Sequence, residues 1–285
     1  MLMLIDYSSL LFRAFHSLPD SVPSHAVLGF LNMLTRLLND RRPDRLAVAV
    51  DDDWRPEFRV SAIASYKAHR VSDEPDPVEP HEALGREVLI AAGIAVVGAE
   101  GYEAEDVIAT LAARTRERVE IVSGDRDLFA LVRDPRVRVL YPHTGVSKLL
   151  CVDEAEIQRR YGIPGRAYGD FALLRGDPSD GLPGVPGIGE KTAAKLISEH
   201  GSLAGVLASS TLPAAIARRL AEARDYLAAA QRVVLPVASV PLPAVAVELP
   251  TEPSHPRTLA RLAQEHRLTG PVERLSAALA ARAAP

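Results

Sequence analysis

Apolar residues fall in short unbroken runs through the first half of the chain, with helical spacing between them. Residues 1–5, 46–50, 94–97, 119–122 and 137–141 are mostly aliphatic and β-branched, with Glu120 and Arg138 the charged exceptions, and they read as buried strands. Segments 26–38, 81–92, 105–116 and 128–132 instead carry apolar positions three and four apart, predicting helices that cover a sheet. Alternation of this kind predicts an α/β domain over residues 1–150, with a mostly parallel sheet flanked by helices.

Beyond residue 150 the strand pattern largely stops. Helical periodicity continues at 153–161, 165–174, 191–200 and 212–235, predicting a helical module over 151–285. Two stretches are irregular. Residues 72–80 (SDEPDPVEP) combine three prolines with four acids and predict a mobile, solvated loop beside the sheet edge. Residues 236–256 are rich in Pro and Val and predict extended chain wrapped across the body before a last helix from residue 257, a flexible tail being the alternative. No internal repeat is present.

Composition narrows the class. With 47% apolar residues in 285, the chain can bury a sizeable core. One cysteine, Cys151, excludes a disulfide framework, and its neighbours Leu149, Leu150 and Val152 predict a buried, inert thiol. The start, MLMLID, has no basic leader, and no apolar run is long enough to cross a bilayer, so a cytoplasmic protein with no membrane association is expected. A formal charge of −4 argues against a nucleic-acid ligand only until its distribution is considered. Nine acids are clustered, and setting them aside leaves the remainder net positive.

Those nine are Asp6, Asp51, Glu103, Glu105, Asp106, Asp125, Asp127, Asp177 and Asp180. Asp6 and Asp51 follow buried strands, at the carboxyl ends where open α/β sheets hold their ligands; either alone is equally compatible with a helix cap or a solvated side chain. In YEAEDVI, Glu103 and Asp106 share a helix face by the i, i+3 rule, while a helix dipole explains one or two first-turn acids but less readily three. Asp125 and Asp127 leave a strand-to-helix turn in SGDRD. Asp177 and Asp180, spaced i, i+3, supply a far wall or simply form a turn next to Pro and Gly. Acids this crowded repel one another unless cations neutralise them. Two or more hard, oxygen-liganded ions, Mg²⁺ or Mn²⁺, suit an all-carboxylate site and the cutting of phosphodiesters.

GVPGIGEKTA, residues 184–193, imitates a P-loop but fails its template, because Glu190 separates the glycine from the lysine and no buried strand leads in. It fits a hairpin between helices, in which Gly184, Gly187 and Gly189 allow a phosphate backbone to approach and Lys191 and Lys195 add contacts blind to base sequence; an ordinary interhelical turn is the alternative.

With LIDYSSLLFRAFH, the strand end at Asp51, SYKAHR, YEAEDVIATLA, SGDRDL and GDPSDGLPGVPGIGEKTAAKLI in this order, the chain resembles the flap-endonuclease-like 5′-nuclease family, and most of all the 5′-nuclease domain of bacterial DNA polymerase I. The likeness spans residues 1–275, and with no polymerase portion after Pro285 a stand-alone relative is expected. It implies a PIN-like α/β domain holding two or more divalent ions through the nine acids. It also implies a helix-hairpin-helix variant formed by Gly184, Gly187, Gly189, Lys191 and Thr192, with K⁺ at the hairpin. Tyr66, Lys67 and Arg70 match a mobile arch spanning about residues 55–85 that threads or clamps the 5′ strand. Lys67 and Arg70 would hold the scissile phosphate, Tyr66 would stack on an unpaired base, and Arg13 and Arg59 are further candidates for phosphate contact. Three positions depart from the family pattern: Glu105 for Asp, Tyr7 for Gly and Gly181 for Asn.

The implied activity is structure-specific 5′-3′ exonuclease and flap endonuclease action in replication and repair, on DNA with 5′ flaps, nicks, gaps or 5′ overhangs. A nucleoid-associated monomer functionally linked to DNA polymerase and ligase is expected. A catalytically weak junction-binding protein and a PIN-type ribonuclease are the alternatives.

Overall fold

The apolar runs of the first half become the sheet on which the molecule is built. In the computed structural model, which describes residues 1–281, β1 (Leu2–Asp6), β2 (Arg45–Ala49), β3 (Ala95–Val97), β4 (Val119–Val122), β5 (Val137–Pro142) and β6 (Leu149–Val152) lie in the order β3-β2-β1-β4-β5-β6. The first five strands are mutually parallel, and β6 runs antiparallel to β5. β6 is the strand that apolar runs do not predict. It is a short edge strand, and Cys151 on it is exposed rather than buried, because an edge hairpin leaves one side open to water.

Alternation along each strand feeds two cores. Leu2 and Leu4 point to one face together with Ala47, Ala49, Ile121 and Val139; Met3 and Ile5 point to the other with Leu46, Val48, Val122 and Leu140. The second face is covered by α1 (Tyr7–Ser17), α2 (His25–Arg41) and α4 (Glu79–Ala92). The first is covered by α5 (Ala104–Arg114) and then by the helical segments α6 (Glu154–Tyr161), α7 (Tyr168–Arg175), α8 (Glu190–His200), α9 (Leu203–Ala208), α10 (Ala214–Glu222) and α11 (Arg224–Val234). The helix predicted over 212–235 is therefore two, meeting at Ala223. A short α3 (Glu57–Ala62) and a 3₁₀ turn at Ala68–Arg70 interrupt the region read as an arch.

The stretch 236–256 is extended and pinned. The Thr110 hydroxyl donates to the Val237 carbonyl (3.1 Å) and accepts from the Val240 amide (3.0 Å), and the Arg114 guanidinium donates to the carbonyls of Val240 and Leu242 (3.0 Å each). Farther on, the Leu46 amide donates to Val247 O at 2.7 Å. The chain thereby crosses to the second face, where two helices, α12 (Pro256–Glu265) and α13 (Thr269–Ala280), pack against α4 and α2. Arg267, at φ 56°, breaks the single terminal helix expected there. The last four residues of the predicted 151–285 module lie outside the described residues. Among the described residues no helix is long and apolar enough to cross a membrane.

Candidate metal centre and nucleic-acid interface

Three adjacent strands deliver the acids. The chain leaves β1 at Asp6, β2 two residues before Asp51 and β4 three residues before Asp125, and the order β2-β1-β4 sets these exits side by side at the carboxyl edge. Asp6 also caps α1, accepting from the Ser9 amide at 3.2 Å. A cleft of about 1170 Å³ opens here, lined by Asp6, Asp51, Glu103, Glu105, Asp125, Asp127, Asp177 and Asp180, with Arg13, Lys67 and Arg70 beside them.

The ninth acid does not line the cleft. Asp106 is fully buried and accepts from the Arg59 guanidinium (2.7 Å), the Val237 amide (2.7 Å) and the Glu103 amide (3.3 Å), the last closing a capping box at the start of α5. Two other expectations change with it. Arg59 is 0% exposed and clamps Glu103, Glu105 (2.5 Å) and Asp106 from below, so it balances carboxylates and has no access to a phosphate. Tyr66 is 2% exposed, and its hydroxyl donates to Glu103 at 2.7 Å; a ring so enclosed cannot stack on a base in this conformation. Charge and aromaticity were legible at both positions, but only tertiary packing decides which way the side chains turn.

Lys67 and Arg70 do reach the cleft. The Lys67 ammonium bonds Glu103, and Arg70 donates to Asp180 (2.5 Å) and to the Ser179 carbonyl (2.7 Å). Lys67 itself holds a left-handed φ of 47°, with its amide donating to the Asp180 carbonyl at 2.9 Å, so the segment is tied to the Asp177–Asp180 turn. Arg13 lies over the Tyr141 ring, 5.9 Å from its centroid, with no ion-pair partner among the described residues. The acids divide in the same way. Glu103, Glu105, Asp177 and Asp180 have a basic side chain within ion-pair range, whereas Asp6, Asp51, Asp125 and Asp127 have none among the described residues.

Burial first, and neighbouring acids second, raise the proton affinities of Asp6 and Asp127. Burial, followed by the nearby Asp51 charge, pushes the Asp6 carboxyl up to about 7, against the lowering effect of the Ser123 hydroxyl, which donates to it at 2.5 Å. Asp127 is raised well above the usual range by burial, then by Asp125, Asp180 and Asp177. Ser8 donates to Asp51 at 2.5 Å, and the Ala104 amide donates to its other oxygen at 2.8 Å. Neither Ser8 nor Ser123 stands out in the sequence; the only signal is a hydroxyl adjoining each strand exit. The carboxylates and hydroxyls at the strand exits are hard oxygen donors that fit a hard dication. Among the described residues no three such groups converge closely enough to enclose an ion alone. Such an ion would complete its shell with water and substrate oxygens, as Mg²⁺ commonly does.

The glycine motif forms the turn into α8. Gly184 (φ 70°) is buried against α7, and a Cβ there would lie 2.3 Å from the Arg175 carbonyl oxygen; it shapes the turn and is not offered to a ligand. Gly189 is exposed with open space where a Cβ would stand, and Gly187, Lys191 and Lys195 are also exposed, with Thr192 half-buried. The Gly187 carbonyl accepts from Arg219 at 3.0 Å, a contact between α10 and the hairpin that the motif itself does not announce.

Two domain families match successive parts of the chain. Residues 1–162 match "5'-3' exonuclease, N-terminal resolvase-like domain" and residues 163–257 match "5'-3' exonuclease, C-terminal SAM fold". The chain belongs to the 5′-3′ exonuclease family. It is 50% identical to a 5'-3' exonuclease of Streptomyces coelicolor, over 98% of this chain and 100% of that one. With a 5'-3' exonuclease of Mycobacterium tuberculosis it shares 42% identity over 98% and 97% of the two chains. A DNA polymerase I of Mycobacterium bovis is 48% identical over 71% of this chain, which is 23% of the polymerase. The same fold occurs in the flap endonuclease of bacteriophage T5, solved with DNA and metal ions (TM-score 0.68, 17% identity, 98% of each chain). It occurs also in the Rad2 catalytic core in complex with DNA substrate (TM-score 0.62, 18% identity, 99% of this chain and 92% of that one).

Within this exonuclease fold the three departures acquire physical reasons. Glu105 is one methylene longer than Asp and reaches the buried Arg59. Tyr7 is fully buried, stacks edge-on against Phe30 and donates to the Glu82 carbonyl at 3.0 Å, tying the start of α1 to α4. Gly181 sits at φ 72° where a Cβ would lie 2.1 Å from the Ser65 carbonyl oxygen, so the close approach of the 63–67 segment leaves no room for Asn.

Proposed function

We propose that this family member hydrolyses DNA phosphodiesters at junctions between a single 5′ strand and duplex, as a structure-specific 5′-3′ exonuclease and flap endonuclease. The observation that carries this is the grouping of Asp6, Asp51, Asp125 and Asp127, which lack cationic partners among the described residues, in one cleft with Lys67 and Arg70. Carboxylates held so close favour divalent cations, and the residues placed to hold them are those four together with Glu103, Glu105, Asp177 and Asp180. Mg²⁺ or Mn²⁺ bound there would supply Lewis-acid activation of the attacking water and of the phosphodiester.

The protein's own part is positioning. Lys67 and Arg70 exchange their carboxylate partners for the scissile phosphate and hold it in line, while Ser8 and Ser123 fix the carboxylates of Asp51 and Asp6. The exposed edge of the hairpin, Gly187 to Thr192, grips the duplex backbone through amides and Lys191, with Lys195 and a K⁺ ion assisting. Arg13 contacts a further phosphate. Contacts of this kind read strand geometry and not base sequence. The products carry 5′-phosphate and 3′-hydroxyl ends, which a ligase accepts, so a bacterial cytoplasmic monomer acting alongside polymerase and ligase fits the chemistry.

End-labelled 5′-flap, nicked and gapped duplexes incubated with Mg²⁺, Mn²⁺ or EDTA test this directly. Product from the flap strand that requires a divalent ion, and is lost in Asp125→Asn with binding retained, is expected. Binding without product at saturating protein would leave a junction-binding protein, and cleavage of RNA flaps alone would make it a ribonuclease.

A further inference from the structure

Two exposed aromatic side chains, Phe12 and Trp54, line the carboxylate cleft, and Trp54 is the one on the loop that Lys67 ties down. Its loop runs from Asp51 to α3 and is pinned on both sides. The Asp53 amide donates to the Tyr102 carbonyl (3.3 Å), and the Arg55 guanidinium donates to the carbonyls of Tyr66 (2.7 Å) and Ala64 (3.2 Å). Asp53 also accepts from the Arg55 amide (3.0 Å). The Lys67 ammonium donates to the carbonyl of Trp54 itself at 3.3 Å. The indole is nonetheless 45% exposed and lines the carboxylate cleft. A fixed backbone presenting an open aromatic ring costs little ordering when a flat ligand lands on it.

We propose that Trp54 is a stacking platform for an unpaired base of the 5′ strand, next to the cleft where that strand is cut. This inference rests on the nuclease reading above. The chemistry beside the ring suits a nucleotide: Lys67 and Arg70 line the same cleft and meet phosphate charge, while the indole face accepts any base. Tyr66, the aromatic residue expected in this role, is enclosed beneath and braces Glu103, so the exposed neighbouring ring takes the role instead. Bases inside a duplex are covered on both faces by their neighbours, so stacking here favours a strand whose bases are already unpaired. Trp54 is thus a specificity-determining residue for substrates with an unpaired 5′ end.

Because Trp54 is the sole tryptophan, the chain carries its own reporter. The test is a cycle of four cleavage measurements in Mg²⁺: wild type and Trp54→Ala, each on a 5′-flap DNA with ordinary flap bases and on one whose flap nucleotides next to the junction are abasic. Trp54→Ala should raise KM on the ordinary flap roughly tenfold, the scale of one base stacked on an aromatic ring, with kcat little changed. The abasic flap should impose a similar penalty on wild type and almost none further on the variant. Trp54→Phe, which keeps a ring, should recover most of the loss. Equal loss on both flaps, or no loss on either, overturns the proposal. Should wild type cut neither flap, the nuclease reading fails by itself. Indole fluorescence then decides the platform: quenching by the ordinary flap but not the abasic one supports it, and equal responses overturn it.

Discussion

Arg59 shows how much a single buried side chain can carry. Its guanidinium is the common partner of Glu103, Glu105 and Asp106, and among the described residues no other basic side chain reaches Asp106. Glu103 keeps the Lys67 ammonium, but losing Arg59 leaves Glu105 and Asp106 buried without a cation, so Arg59→Met should destabilise the fold by about 3–5 kcal/mol in urea unfolding, far more than loss of an exposed Arg would. Asp6 makes the opposite case. Its carboxyl titrates near 7 in the fold, raised by burial and then by Asp51, against about 4 in an unfolded chain. Between those values the folded state binds the proton more tightly, so this group's stabilisation is present at low pH and lost as pH rises through about 7. Asp6→Asn keeps an acceptor for the Ser9 amide and removes the charge. In EDTA the variant should melt at least about 2 °C above wild type at pH 8, with the difference shrinking by pH 5, as one kcal/mol corresponds to roughly 2–4 °C at this size. Added Mg²⁺ should stabilise wild type more than the variant at pH 8, and equal melting curves throughout would remove the repulsion argument.

At the scale of elements, the hairpin separates shape from contact. Gly184→Ala forces a Cβ onto the Arg175 carbonyl at a positive φ, so it should lower stability by about 1–3 kcal/mol and weaken DNA binding together. Gly189→Ala meets open space and should leave thermal stability unchanged, while Lys191→Ala should reduce the salt dependence of binding by about one counterion, read from affinity against salt concentration. The turn was legible because Pro and Gly punctuate it, as the parallel strands were legible because burial on both faces leaves runs that are apolar but for Glu120 on β4 and Arg138 on β5. Of the elements that escaped, three did so for identifiable reasons. α1 begins at Tyr7 directly after β1 ends at Asp6, with no punctuation between them; β6 is a four-residue edge strand; and α3 lies inside a stretch whose basic residues draw the eye to charge. Of the nine acids, eight meet in the cleft because strand ends and helix starts are readable. Asp106 does not, since an i, i+3 spacing from Glu103 places it beside the site without saying whether it faces cleft or core.

On the scale of the whole molecule, the strap over 236–256 joins the carboxylate cluster to the outer body. The Val237 amide is held by Asp106, which is held by Arg59, which holds Glu103 and Glu105 at the cleft wall. One turn farther along α5 from that contact, Thr110 satisfies two strap backbone groups with a single buried hydroxyl. Valine is close to threonine in shape, so Thr110→Val tests the polar link without opening a cavity. It leaves the Val237 carbonyl and the Val240 amide without partners in a buried setting, each at a cost of about 1–3 kcal/mol. Hydrogen exchange should then speed up at the amides of Val237 and Val240 more than in β1 or β4, because the sheet interior is held by both cores independently of the strap. If the strap also fixes the cleft wall through Asp106, the variant should need more Mg²⁺ for half-maximal flap cleavage while its DNA affinity through the hairpin stays the same. Faster strap exchange with an unchanged Mg²⁺ requirement would mean that the strap serves stability alone and that Arg59 holds the wall without it.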